Sequence, residues 1–178
     1  MIKMNRKSEF SAPELTGEPG WAELVIPDNF GSGRQFITGD LREDRIRLKY
    51  FKREHDNALM ARIWFGPAAE GPVGYVHGGS MAALLDESMG LAVFLTGSIA
   101  VTAKLTVRYR KMLPLGSIVT LEAKVKHTSG RKVLTTGRIY NDEGEVISMG
   151  DGFFMKPSVN KIEEPNIEIK TVQKTGHK

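Results

Sequence analysis

The sequence predicts an α+β fold, an antiparallel sheet of about six strands wrapped around one long central helix, and three features carry that prediction. Apolar and polar residues alternate along several short stretches, as they do in half-buried strands. One run, from about Gly79 to Leu95, is apolar almost all round, and such a helix must be buried on most sides. The order is two strands, the helix, then four strands with short turns; tight turns between consecutive strands make a sheet antiparallel. A lone helix that is apolar on every side requires the sheet to curl about it.

Residues 1–44 show no sustained period and carry Pro13, Gly17, Pro19-Gly20, Pro27, Gly31 and Gly33 among anchors such as Trp21 and Phe30. They read as an irregular arm. Ile46, Leu48 and Tyr50 alternate with Arg47 and Lys49, His55-Asp56-Asn57 makes a turn, and Leu59, Ala61, Ile63 and Phe65 alternate again, a hairpin. After the glycine- and proline-rich stretch 66–74 comes the helix. Val101, Ala103, Leu105, Val107 and Tyr109 then alternate with Thr102, Lys104, Thr106, Arg108 and Arg110. Pro114 and Gly116 turn the chain into Val119–Val125, Ser129-Gly130 breaks that run before Lys132–Tyr140, and Asn141–Gly144 marks a hairpin into Val146–Met155. The folded domain is therefore expected over 45–156, with 157–178 a mobile polar tail.

A chain of 178 residues suits one domain with tails, and 40% apolar and 26% charged residues are ordinary for a globular protein. The absence of cysteine excludes a disulfide scaffold, a thiolate nucleophile and a zinc-thiolate site. It fits a reducing compartment, and a cytoplasmic location is expected. A net charge of +4 fits a solvated surface or an anionic small ligand; no nucleic-acid-binding motif accompanies it. The most apolar stretch, Met81–Ala103, contains Asp86, Glu87 and two glycines, so no membrane span is expected. His55, His77, His127 and His177 lack ligand spacing and no metal site is predicted. A Gly-x-Ser-x-Gly nucleophile elbow is absent.

Chemistry concentrates at the helix start, Val76-His77-Gly78-Gly79-Ser80, with Asp86 nine positions after His77. The glycines let the chain turn sharply and leave no side chain to block a ligand. Unpaired N–H groups of the first turn, at the positive end of the dipole, can hold a carbonyl oxygen as it becomes an oxyanion. An ordinary glycine-rich turn accounts for these residues equally well. Asp86 is costly to bury mid-helix without a partner or a solvent-lined opening. Glu87 points about 100° away and cannot serve the same site.

The segment Gly74–Asp86, read as Gly-Tyr-Val-His-Gly-Gly-Ser-Met-Ala-Ala-Leu-Leu-Asp, resembles the signature of the hot-dog-fold thioesterase superfamily. The nearest branch holds the phenylacetyl-CoA and long-chain acyl-CoA thioesterases. Similarity extends through Val101–Leu105, Tyr109–Lys111, Pro114–Gly116 and Gly130–Lys132. The resemblance implies a thioester hydrolase in which Asp86 is general base or nucleophile and the backbone of Gly78 or Gly79 polarises the carbonyl. His77 would position that loop, and Thr102 would stand near the attacking water. On pattern alone Thr102 is merely the polar side of a strand. Where some relatives carry Asn or Gln before the His-Gly-Gly, this chain has Glu70-Gly71-Pro72-Val73-Gly74-Tyr75.

The substrate so implied is acyl-CoA, with coenzyme A part of the substrate and no separate cofactor. Arg131 and Lys132, then Arg108, Arg110 and Lys111, are the expected contacts for its phosphates; a solvated sheet face would also explain them. A homodimer or homotetramer is expected, with sites between subunits. The rival reading is a hot-dog module that binds acyl-CoA without turning it over.

Overall fold

The computed structural model describes residues 12–26, 36–37 and 44–158, and the backbone of 170–171. The strands are β1 (Trp21–Val25), β2 (Ile46–Arg53), β3 (Leu59–Phe65), β4 (Val101–Tyr109), β5 (Ile118–Ser129), β6 (Lys132–Tyr140), β7 (Val146–Met155) and β8 (Lys170–Thr171). Helix α1 spans Gly78–Phe94, close to the expected run. All the strands join one sheet in the order β4-β7-β6-β5-β3-β2-β1-β8, and every pairing is antiparallel.

The six expected strands are β2 to β7. Two more come from stretches read as arm and tail. Turn-forming residues mask β1 in the sequence, yet Trp21–Leu24 pairs with β2, and Leu15 and Leu24 are buried. On the sheet's convex face the Trp21 ring packs against Phe51, with centroids 5.8 Å apart. Lys170–Thr171 pairs with β1. Phe30, with the rest of 1–11, 27–35, 38–43, 159–169 and 172–178, lies outside the described residues.

The concave face holds the helix. Leu84, Leu85, Met89 and Val93 are fully buried against Ile63, Phe65, Leu121, Ile139 and Phe154. Glycines in β6 and β7 make the trough that lets the helix come close. A Cβ on Gly137 would stand 2.9 Å from Leu85 Cδ2, and one on Gly152 would meet Thr135 Oγ1 at 2.4 Å and the Phe154 ring at 2.6 Å. The helix stops where Gly97, at φ +77°, donates its N–H to Phe94 O.

Among the described residues no helix is long and apolar enough to cross a membrane. The convex face instead carries an ion-pair network, in which Glu122 meets Arg53, Lys124 and Arg138.

Two glycines should respond to alanine with opposite sign. Gly152→Ala has no room for its methyl and should destabilise by about 1–3 kcal/mol. A Cβ on Gly90, in the helix, meets Phe154 only at an ordinary 3.6 Å, so Gly90→Ala should stabilise by about 0.5–1 kcal/mol. Urea denaturation at matched protein concentration reads both; a stabilised Gly152→Ala would refute the tight trough.

Candidate active site

Asp86 and Glu87 are consecutive on a helix whose other contacts are almost all apolar, and each is half-buried. They point to different strands of the curled sheet. Asp86 Oδ1 accepts a hydrogen bond from the Thr102 hydroxyl of β4 at 2.7 Å. Glu87 Oε1 accepts one from the Tyr50 hydroxyl of β2 at 2.8 Å.

Strict alternation along β4 would turn Thr102 away from the helix. The register slips between Thr102 and Lys104 instead, with Ala103 the extra residue of a bulge. Thr102 thereby shares the concave face with Leu105, Val107 and Tyr109, while Lys104, Thr106 and Arg108 face outward. The bulge is what brings Thr102 to Asp86.

At the helix start, His77 is the N-cap. Its Nδ1 accepts from the Gly79 N–H at 2.9 Å, so the neutral ring carries its proton on Nε2. The His77 N–H donates to Ala69 O, and its carbonyl accepts from the Ser80 N–H. Gly79 and Ser80 are thus capped, and the Gly78 N–H has no partner among the described residues. Tyr109, whose role the sequence pattern did not reveal, donates its hydroxyl to Gly78 O at 2.9 Å. A cleft of about 330 Å³ opens beside this turn, lined by Ile37, Arg45, Ile46, Ala69, His77 and Gly79 among others.

One chain therefore brings together two half-sets. Asp86 and Thr102 form one; His77, Gly78, Gly79 and Tyr109 form the other. Eight helical positions separate Gly78 from Asp86, a rise of about 12 Å.

The five basic residues are divided in the same way. Lys132 pairs with Met155, which pairs with Val101, at the Thr102 end of β4. Arg108, Arg110 and Lys111 lie at the Tyr109 end, about 23 Å along the strand. Arg108 pairs with Asp151 and Lys111 with Glu145; Arg131 Nε donates to Lys156 O. Within one chain the strand length keeps the two groups of basic residues apart. Lys132 has no ion-pair partner among the described residues, which also contain no group of acidic and histidine side chains arranged to hold a metal.

Residues 73–148 match the family model described as the thioesterase superfamily. The chain is 33% identical to a Xenopus laevis protein named acyl-coenzyme A thioesterase THEM4 over 68% of its own length. It spans 56% of that relative, about half the length of the curated protein. A crystal structure described as a thioesterase superfamily protein is 31% identical and superposes with a TM-score of 0.59, covering 61% of this chain and 53% of that one. A Bacillus halodurans protein crystallised with CoA is 34% identical, with a TM-score of 0.50 over 54% of this chain and 65% of its own.

Burial is the main cause that lifts the Glu87 carboxyl above its ordinary range; the Tyr50 hydrogen bond opposes this and the charge of Asp86 adds to it. A carboxyl with a raised folded pKa binds more protons folded than unfolded. Its contribution is fully present below the ordinary value of 4.5 and is lost as pH rises through the folded value. Glu87→Gln lacks this loss. Its stability relative to the parent should therefore climb as pH rises above the ordinary carboxyl value of 4.5 and through the raised folded value, read by denaturation at each pH. A constant difference would mean that Glu87 titrates normally.

Proposed function

From the premise that this chain belongs to the thioesterase superfamily, we propose that it hydrolyses acyl-CoA thioesters, with Asp86 as general base. The observation that carries the reading is the Asp86–Thr102 pair at the mouth of the curl. A half-buried carboxylate is held by a hydroxyl on one oxygen, which leaves the other to accept a proton. Similarity to a named acyl-CoA thioesterase and to a protein crystallised with CoA supports the substrate class.

In this reading a water held by Asp86 and Thr102 attacks the thioester carbonyl carbon and gives its proton to Asp86. The carbonyl oxygen becomes an oxyanion at the Gly78 N–H, where the helix dipole also favours negative charge. Collapse of the tetrahedral adduct breaks the carbon–sulfur bond, and the thiolate of CoA leaves with the bonding pair. His77 acts on the loop: by capping Gly79 it leaves Gly78 as the unpartnered donor.

The half-sets meet if two copies pair through β4, which among the described residues is an edge of the sheet. Antiparallel pairing about the middle of β4 sets Thr102 and Asp86 of one copy opposite Tyr109 and Gly78 of the other. The exposure of Val101 and Tyr109, each at 51%, fits a surface that a second copy covers. The same pairing brings Arg131 and Lys132 of one copy toward Arg110 of the other, where they would meet the phosphates of CoA. A homodimer, or a pair of them, is the assembly proposed.

Thiol release from a panel of acyl-CoAs tests the activity. Asp86→Asn should lower kcat at least ~10²-fold with little change in affinity. Proline suits the first helical position, and His77 before it is extended; it removes the N–H, and its Cβ, like that of alanine, stands 3.3 Å from the Tyr109 ring. Gly78→Pro should therefore lower kcat by about 10²–10³, while Gly78→Ala, which adds the same Cβ and keeps the donor, should lose far less. Binding of acyl-CoA with no thiol release by the parent would make the protein a binding module instead.

A further inference from the structure

We infer that Tyr50 and Glu87 are positioning residues for Asp86, an inference that rests on the catalytic reading of Asp86 given above. Apolar contacts hold α1 in its trough, and such contacts are non-directional. They resist withdrawal of the helix far more than its rotation about its own axis. Hydrogen bonds are directional. Two of them leave the helix at neighbouring positions toward strands on opposite sides of the sheet, Asp86 to Thr102 on the edge strand β4 and Glu87 to Tyr50 on β2. Together they fix the rotation, as two guy lines on opposite sides hold a mast.

The lever arm is long enough to matter. Side chains lie about 5–6 Å from the helix axis, so a turn of about 10° moves the Asp86 carboxylate by about 1 Å. A misplacement of about 1 Å can lower a rate by up to ~10²-fold. Tyr50 is itself well held, at 4% exposure in β2 and within the main core. Beside it the Ser88 side chain is fully buried and faces the Tyr50 hydroxyl. The core thus keeps polar groups around this bond, although burying such groups is unfavourable unless they are partnered.

Tyr50→Phe and Glu87→Leu each remove the bond, while Glu87→Gln keeps an acceptor for the Tyr50 hydroxyl. In the full chain, Tyr50→Phe and Glu87→Leu should each lower kcat for thiol release on the order of tenfold, with KM within about twofold of the parent. The double variant should be no worse than the poorer single one, because both lose the same bond. Glu87→Gln should restore kcat to within about threefold of the parent. Crystal structures of the variants supply a readout independent of activity: the Asp86–Thr102 contact, 2.7 Å in the parent, should lengthen or break in Tyr50→Phe and Glu87→Leu and persist in Glu87→Gln. Parental kcat and an unmoved Asp86 in the first two variants would overturn the inference, as would lowered melting temperatures with kcat unchanged. If the parent releases no thiol, the thioesterase reading falls, and the structures alone decide whether the Tyr50–Glu87 bond positions Asp86.

Discussion

Burial of a seventeen-residue apolar helix inside a curled antiparallel sheet sets the terms for everything else in this molecule. Leu84, Leu85, Met89 and Val93 leave no accessible surface, and at roughly 1.5–3 kcal/mol for each large apolar side chain removed from water this is the dominant local stabilisation. The sheet closes on the helix where β6 and β7 carry Gly137 and Gly152, at which a Cβ would crowd Leu85 in the one case and Met89 in the other. What remains of the helix surface is a narrow stripe at the mouth of the curl. Any ligand that meets this helix from the side must meet it there.

Into that stripe the chain places two consecutive carboxylates. Their neighbours give them different work. Asp86 is answered by an exposed threonine on an edge strand, so it stays open to an incoming molecule. Glu87 is answered by a buried tyrosine in the sheet interior, and burial raises its proton affinity. Two acids one residue apart thereby differ in accessibility and in the group that holds them, which is how an environment assigns separate roles to like groups. The chain's two ends of chemistry, the Asp86–Thr102 pair and the capped glycine turn, lie at opposite ends of β4. Antiparallel pairing of this edge strand with its own copy, as proposed, would convert that separation into proximity.

Much of the fold was legible because the hydrophobic period switches cleanly from 2 to 3.6 and back, and because the helix's all-round apolarity forces a wrapping sheet. β1 was hidden by Pro19-Gly20 and Pro27, which punctuate a strand too short to show a period. Asp86 and the His77–Gly79 turn stood out as a charge in an apolar run and as a glycine pair at a helix start. The partnership of Thr102 with Asp86 could not be read from alternation, since the bulge at Ala103 reverses the phase of the strand and leaves no mark in composition. Tyr109 and Tyr50 were concealed for the opposite reason: each occupies an apolar-facing position, and only the packed structure shows where the hydroxyl ends up. The basic residues fall into two groups at opposite ends of β4, a separation that appears only once the strand pairing is known.

The central claim is that catalysis requires Asp86 from one copy and the Gly78 N–H from another, and a mixed dimer tests it most directly. Chains carrying Asp86→Asn and chains carrying Gly78→Pro, each inactive alone, would be co-expressed with different tags and the heterodimer purified. One of its two sites then has an intact Asp86 and an intact Gly78, and the other lacks both. Shared sites predict thiol release restored to about half the parental rate per dimer. A heterodimer as inactive as its two parents would contradict the account and would confine each site to a single chain.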